Sequence, residues 1–235
     1  MSGLSSRFFK AGYHIPKYQL PLGKYSVFYH AIYSFKYYFD KEKFIFICRD
    51  IYNTVEFVQK EATKLKIRNF DIIVLDDETR GQAETAYLGL KRYKEDFPVY
   101  IFNIDTIRHN YIKPDFIDEC DGYLEVFRGL GEHWSFVLPD IQGNVLKTTE
   151  KERISDLCSD GLYYFKSKNR FQDIFFESLR NNNTVFGEYY IAPLYNILIA
   201  HGASIKYDIA DIKHIDFCGT PNEYELLCLK FKKDK

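Results

Sequence analysis

The stretch KFIFICRDIYNTVEFVQKEATKLKIRNFDIIVL, Lys43–Leu75, decides the fold class. It holds two short apolar runs, KFIFIC (Lys43–Cys48) and FDIIVL (Phe70–Leu75), each of a length and composition that predicts a buried strand. Between them, Asn53–Lys66 spaces Val55, Phe57, Val58, Ala62 and Leu65 at helical intervals, with Asn53 or Thr54 as N-cap. Working outward, SVFYHAIYSFKYYF (Ser26–Phe39) reads as a largely buried helix, Thr85–Tyr93 as a helix and PVYIF (Pro98–Phe102) as a strand. Apolar strands alternating with helices predict an α/β fold with a doubly wound, mostly parallel, Rossmann-like sheet. Ligands of such sheets bind beyond the carboxyl ends of the strands.

The second half changes character. Gly122–Phe127, Trp134–Leu138, Val145–Glu150 and Leu162–Phe165 are strand-like and closely spaced, which predicts antiparallel additions. Phe171–Arg180 and Glu188–Ala200 read as helices, the second with Pro193 near its first turn and Gly202 as its stop. Ser204–Ile209 is a late strand. Pro221–Leu229 is a closing helix with Thr220 as N-cap. No Gly/Ser/Pro-rich linker separates the halves, so residues 1–235 are read as one domain, with a first half of about 1–120 and a second of about 121–235.

Bulk properties narrow the function classes. The net charge of −1 supplies no field for nucleic acid or an acidic membrane surface. No apolar run reaches membrane-spanning length, and no signal peptide precedes the first motif. The five cysteines form no C-x-x-C pair, which points to free thiols in a reducing cytoplasm. Twenty tyrosines and 21 phenylalanines predict a tyrosine-rich core, and exposed rings in the second half offer a homodimer patch.

The chemistry-bearing motifs begin at Met1–Lys24, MSGLSSRFFKAGYHIPKYQLPLGK. Small residues there free backbone N–H groups to face an anion, Arg7 can grip a phosphate bidentately, and Lys17 can follow one as a point charge. No G-x-x-x-x-G-K-[ST] loop is present. Read without any resemblance, the stretch is a surface turn followed by Pro-bounded loops. It resembles, however, the opening of the sugar-phosphate nucleotidyltransferases, the family that makes nucleotide sugars for surface polysaccharides: G-x-G-x-R-[FL], then P-K-x-L-x-P-x-x-G-K. Gly3-Leu4-Ser5-Ser6-Arg7-Phe8 fits the first motif with Ser5 at its second glycine. Pro16-Lys17, Pro21 and Gly23-Lys24 fit the second. The family has an apolar strand before this loop and this chain starts at the loop. The expectation is therefore a sheet short of its first strand, or numbering that begins at an internal methionine.

Later motifs follow in the family's order. Arg80-Gly81-Gln82 stands where a glycine-containing turn reads the nucleotide base; by themselves these residues also suit a helix start capped by Thr79. In Asn103-Ile104-Asp105-Thr106, Asp105 falls just past a strand, where the family keeps a metal-binding aspartate; a turn-forming aspartate is the plainer reading. Glu150-Lys151 resembles the E-K motif whose lysine grips the sugar phosphate. Gly161 lies in a segment resembling T-G-x-Y-x-F, which closes the sugar pocket, and Glu188 falls among polar residues toward the sugar. Gly219-Thr220-Pro221 resembles the end of W-x-D-x-G-T-P, but Phe217 holds the aspartate's place. The second metal contact is thus open among Asp216, Asp211 and Asp208, with Asp216 the nearest.

The resemblance implies Mg²⁺-dependent transfer of a nucleoside monophosphate from an NTP, leaning to a pyrimidine nucleotide, onto a sugar phosphate. It assigns Gly3, Leu4, Ser5, Ser6, Arg7 and Lys17 to the triphosphate, Arg80, Gly81 and Gln82 to the base, and Lys151, Gly161 and Glu188 to the acceptor. Asp105 and Asp216 go to the metal, with Arg7, Lys17 and Asp105 carrying catalysis. Two other readings stand beside it. One is a cytidylyltransferase for a small non-sugar phosphate, with Tyr123, Trp134, Tyr163, Tyr164, Tyr189 and Tyr190 caging a quaternary amine. The other is a nucleotide-binding sensor of the same fold without turnover.

Overall fold

The computed structural model describes every residue except Ser2, Leu4, Asp234 and Lys235. In chain order its elements begin α1 (Ser6–Lys10), β1 (Pro21–Leu22), β2 (Tyr25–Ser26), α2 (Val27–Tyr33), β3 (Phe44–Cys48), α3 (Thr54–Lys64), β4 (Phe70–Val74), α4 (Gln82–Leu90), β5 (Val99–Phe102) and β6 (Thr106–Arg108). They continue with β7 (Gly122–Arg128), β8 (Ser135–Pro139), β9 (Val145–Glu150), β10 (Leu157–Phe165), α5 (Lys168–Arg180), α6 (Leu194–Ala200), β11 (Ile205–Ile209), β12 (Ile215–Phe217) and α7 (Pro221–Lys233). The fold is α/β, and its contacts group into two compact units. The first comprises Met1–Glu78, Asn103–Ile112 and Lys213–Lys235, the second Thr79–Phe102 and Lys113–Ile212.

In the first unit, β3 and β4 pair in parallel, Phe44 opposite Phe70 and Cys48 opposite Val74, with α3 as the crossover. This is the β-α-β arrangement expected of Lys43–Leu75. Asn53 precedes α3 in a left-handed conformation (φ 53°) and makes no side-chain cap; Asp50 Oδ1 accepts from the Val55 N–H instead, at 3.1 Å. The expected Ser26–Phe39 helix is shorter, α2 followed by a 3₁₀ turn at Lys36–Tyr38, and Ser26 caps α2 by accepting from the Tyr29 N–H at 3.0 Å. One aromatic cluster, with Tyr18, Phe28, Phe39 and Phe46 buried, fills the space between α2, α3 and the strands. The Met1 nitrogen donates to the Ile47 carbonyl at 2.7 Å. A second cluster joins Phe8, Leu20, Leu22 and Val27 to Cys218, Tyr224 and Leu227. Strand β12 pairs antiparallel with β6.

The second unit is built on a six-stranded sheet of order β11-β7-β10-β8-β9, with β5 also on β10. Strand β10 is buried at all nine positions and pairs antiparallel with β5, β7 and β8; β11 pairs in parallel with β7. The closely spaced strands of the second half are therefore antiparallel partners, as their spacing predicts. Strand β5 ends antiparallel to β10, because its neighbour is chosen by a segment sixty residues further on and not by the local β-α-β alternation. Strand β10 begins at Leu157, five residues before the expected start. Ser159-Asp160-Gly161 forms an irregularity within the strand, where Gly161 (φ 93°) donates to Ser159 Oγ at 3.1 Å and Leu162 to Asp160 Oδ1 at 3.0 Å. The helix expected over Glu188–Ala200 forms only from Leu194. Tyr189 donates to the Arg80 carbonyl at 2.6 Å and accepts from the Ala83 N–H at 3.0 Å, so the backbone there is committed elsewhere, and Pro193 falls at the N-cap. Gly202 (φ 80°) stops α6 as expected.

Candidate active site

Two groups of the sequence-selected residues form built sites, one in each unit. In the first unit the opening loop is tied to the Pro-Lys motif. Ser5 sits at φ 51°, a left-handed conformation a glycine would take without strain, and its Oγ accepts from the Lys17 N–H at 3.2 Å. Serine at the second glycine position thus fastens the loop to the lysine that follows it. A side chain at Gly3 would meet nothing within 4 Å among the described residues. Leu4, also expected in the loop, lies outside the described residues. Ser6 and Arg7 open α1 and are exposed.

Lys17 Nζ donates to Asp105 Oδ2 at 2.5 Å, each side chain 23% exposed. Burial disfavours the Asp105 charge, but the attraction and hydrogen bond of Lys17, helped by Arg7, outweigh it and hold the carboxyl below the usual carboxylate range. The G-T-P motif comes to the same carboxylate. The Cys218 N–H donates to the Asp105 carbonyl at 2.8 Å, and a Cβ at Gly219 would stand 3.1 Å from Asp105 Oδ2 and 3.5 Å from Glu223 Oε2. Gly219 therefore leaves open the space beside the Asp105 oxygens. Thr220 and Glu223 form a capping box: Thr220 N–H donates to Glu223 Oε2 at 2.8 Å and Glu223 N–H to Thr220 Oγ1 at 3.3 Å. The T-x-x-E spacing was the signal for it.

Asp216 has other partners. His109 Nε2 lies 2.7 Å from its Oδ2, and Lys230 Nζ donates to Oδ1 at 2.7 Å and to Oδ2 at 2.9 Å. Burial works against its charge as well, and the His109 and Lys230 bonds override it. Nothing in the local sequence signals His109. Among the described residues no three His, Cys, Asp or Glu side chains gather in a metal-holding group. One carboxylate with open space beside it nonetheless suits Mg²⁺, which keeps several waters and takes the rest of its oxygens from substrate phosphates.

In the second unit, Gly81 (φ 120°) is the N-cap of α4, and a Cβ there would fall 2.5 Å from the Tyr189 carbonyl oxygen. The glycine is required by this close approach of backbone. The helix starts at Gln82, earlier than the expected Thr85. Thr79, the alternative cap, instead bonds Thr85 Oγ1 at 2.6 Å. Arg80 closes on Glu84 with its backbone N–H (2.6 Å) and its guanidinium, which also lies 5.1 Å over the Tyr189 ring. The i,i+4 spacing of Arg80 and Glu84 was legible; the ring was not.

Lys151, at the end of β9, donates its backbone N–H to Trp134 (2.8 Å) and its ammonium to the Tyr190 hydroxyl. Beside it Glu150 is buried and accepts from Ser135 Oγ; burial raises its carboxyl above the usual range, against the pull of Ser135 and Lys151. Glu188 is exposed and closes a two-residue turn with Val185. Four rings proposed for an amine cage, Tyr123, Tyr163, Tyr164 and Tyr189, are 0–4% exposed and belong to the core.

No protein-family model matches the chain, and no curated protein matches it. Among solved structures it is similar to the nucleoside-diphosphate-sugar pyrophosphorylase from Vibrio cholerae RC9, with 44% identity over 97% of both chains and a TM-score of 0.93. The chain belongs to the sugar-phosphate nucleotidyltransferase family. More distant nucleotidyltransferases share the fold. UDP-glucose pyrophosphorylase complexed with UDP-glucose is 14% identical, with a TM-score of 0.75 over 99% of this chain and 96% of that one. The inositol-1-phosphate CTP transferase from T. maritima is 14% identical, with a TM-score of 0.73 over 98% and 93%. Among the described residues no helix is long and apolar enough to cross a membrane.

Proposed function

We propose that this nucleotidyltransferase transfers a nucleoside monophosphate from an NTP to a sugar phosphate, giving an NDP-sugar and pyrophosphate. The observation that carries the reading is the Lys17–Asp105 pair, which joins the Pro-Lys and N-x-D-T motifs at 2.5 Å with Gly219 against the carboxylate. A phosphate oxygen of the acceptor attacks the α-phosphorus, and the bond to the bridging oxygen breaks with its electron pair leaving on pyrophosphate. A phosphate dianion is already a nucleophile, so positioning and charge neutralisation supply the catalysis.

In this reading Lys17 leaves Asp105 for the α-phosphate, and Arg7 with the N–H groups of residues 3–6 holds the departing pyrophosphate. Arg80, Gly81 and Gln82 face the base; Lys151 orients the acceptor phosphate, and Gly161 and Glu188 border its sugar. Asp105 would hold Mg²⁺, with Asp216 as second contact once it exchanges its bonds to Lys230 and His109. Bound there, the metal neutralises phosphate charge. We read residues 1–235 as one working domain, triphosphate residues in the first half and acceptor residues in the second. The five free thiols fit a cytoplasmic enzyme supplying polysaccharide synthesis. Self-association through the exposed rings Phe176 and Phe186 belongs to the same proposal. The buried cage rings leave the amine-phosphate alternative with less support. Pyrophosphate release is to be measured for each NTP against glucose, galactose and mannose 1-phosphates with and without Mg²⁺. Metal-dependent release with one pair is expected; nucleotide binding with no release from any pair would favour the sensor.

A further inference from the structure

Lys151 holds a backbone conformation that a lysine seldom takes, φ 56°. From that position its ammonium bonds the Tyr190 hydroxyl and stands 4.5 Å from the Tyr190 ring centroid and 5.4 Å from that of Phe186. Phe186 and Gly187, at φ 50° and 80°, form the centre of a two-residue turn in which Val185 and Glu188 exchange both backbone bonds at 3.0 Å. Tyr189 is fastened to Arg80 and Ala83, so the segment is anchored between the two rings.

Among the described residues, the one hydrogen bond of this contact leaves donors over. An ammonium has three N–H bonds, and one of them goes to Tyr190. A phenol that accepts through its oxygen still has its own O–H to give. Burial raises the Tyr190 pKa, against the opposing pull of the Lys151 bond, so the proton stays on at neutral pH. A charged donor and a neutral one, one hydrogen bond apart, match two oxygens of a single phosphate group.

We propose that Tyr190 is a second phosphate-binding residue, its O–H completing with the Lys151 ammonium a clamp for the acceptor's phosphate. This deepens the reading of Lys151 as the acceptor-phosphate lysine and rests on it. Tyr190→Phe removes the donor and keeps the ring over the ammonium.

Inorganic phosphate is to be titrated calorimetrically into wild type, Tyr190→Phe, Lys151→Ala and the double variant. A hydrogen bond to a charged group implies about a 10-fold or greater loss of phosphate affinity in Tyr190→Phe. An equal or larger loss is expected in Lys151→Ala, and the double variant should fall short of the product of the two. In turnover, Tyr190→Phe should raise KM for the sugar phosphate by a like factor and leave kcat and the NTP KM near wild type. Wild-type phosphate affinity in Tyr190→Phe would overturn the clamp. Wild-type affinity in Lys151→Ala as well would remove the acceptor role of Lys151 with it. Tyr190-dependent phosphate binding without turnover of any NTP and sugar 1-phosphate pair would leave the clamp standing and sink the transferase reading.

Discussion

Two lysines at the candidate sites end in hydrogen bonds to oxygen, and the two oxygens differ. Lys17 meets the carboxylate of Asp105 and Lys151 meets the phenol of Tyr190. The first pair cancels its own charge, and its carboxyl is held ionised by the lysine. The second has a neutral partner, because burial keeps the proton on the phenol. The same side chain is thus set up for exchange in one unit and for capture in the other. On the proposed function, a cancelled lysine would act once metal and polyanion separate it from its partner. An uncancelled one attracts an anion from the start.

The largest test of that difference is Lys17→Ala. If Lys17 acts where charge builds at the α-phosphorus, kcat should fall by something on the order of 10²–10³, as for loss of one preorganised oxyanion donor. Steady-state kinetics with both substrates read this; an effect confined to the NTP KM would make Lys17 a binding residue and erase the contrast. Lys151→Ala comes next, with KM for the sugar phosphate up about 10–100-fold and the NTP KM nearly unchanged, as expected for a lost charged hydrogen bond. If both variants show one kinetic defect, the division of roles is wrong.

Asp216 repeats the chemistry of the first pair, a carboxylate already bonded by a lysine. Asp216→Asn should raise the Mg²⁺ concentration for half-maximal pyrophosphate release about 10-fold, within the range seen when one metal-site partner is removed. An unchanged midpoint would take Asp216 out of the metal site and leave it as the anchor of His109 and Lys230.

The smallest effect sharpens the second region. The folded-state pKa of Glu150 is raised, so the folded chain is weakened as pH climbs past the ordinary value of 4.5 and the buried carboxyl ionises. Glu150→Gln removes that penalty and can still accept from Ser135. Its melting temperature should exceed wild type at pH 7. The gain should shrink toward pH 4; a gain that does not depend on pH would assign it to packing.

Much of the fold was legible because its signals are local. The period of Val55, Phe57, Val58, Ala62 and Leu65, the apolar runs on either side, Ser26 before α2, Thr220 and Glu223 at α7 and Gly202 after α6 all act within a few residues of themselves. The misread boundaries occur where a distant segment competes for the backbone. Tyr189 pairs with Arg80 and Ala83 and so cannot start a helix, and Leu157-Cys158-Ser159 joins the strand because β7 pairs with all three and β8 with Cys158.

The candidate site divides the same way. By itself the sequence determined which residue types stand in which order, a small-residue loop, Arg7, Pro16-Lys17, Asp105, Glu150-Lys151 and Gly219-Thr220, and with them the family. Only the tertiary structure decided who meets whom. Lys17 and Asp105 are 88 residues apart and Lys151 and Tyr190 are 39 apart. Periodicity and capping act over a few residues, whereas an ammonium's choice between a carboxylate and a phenol is made by whichever strand end or turn the packed sheet brings within hydrogen-bonding distance.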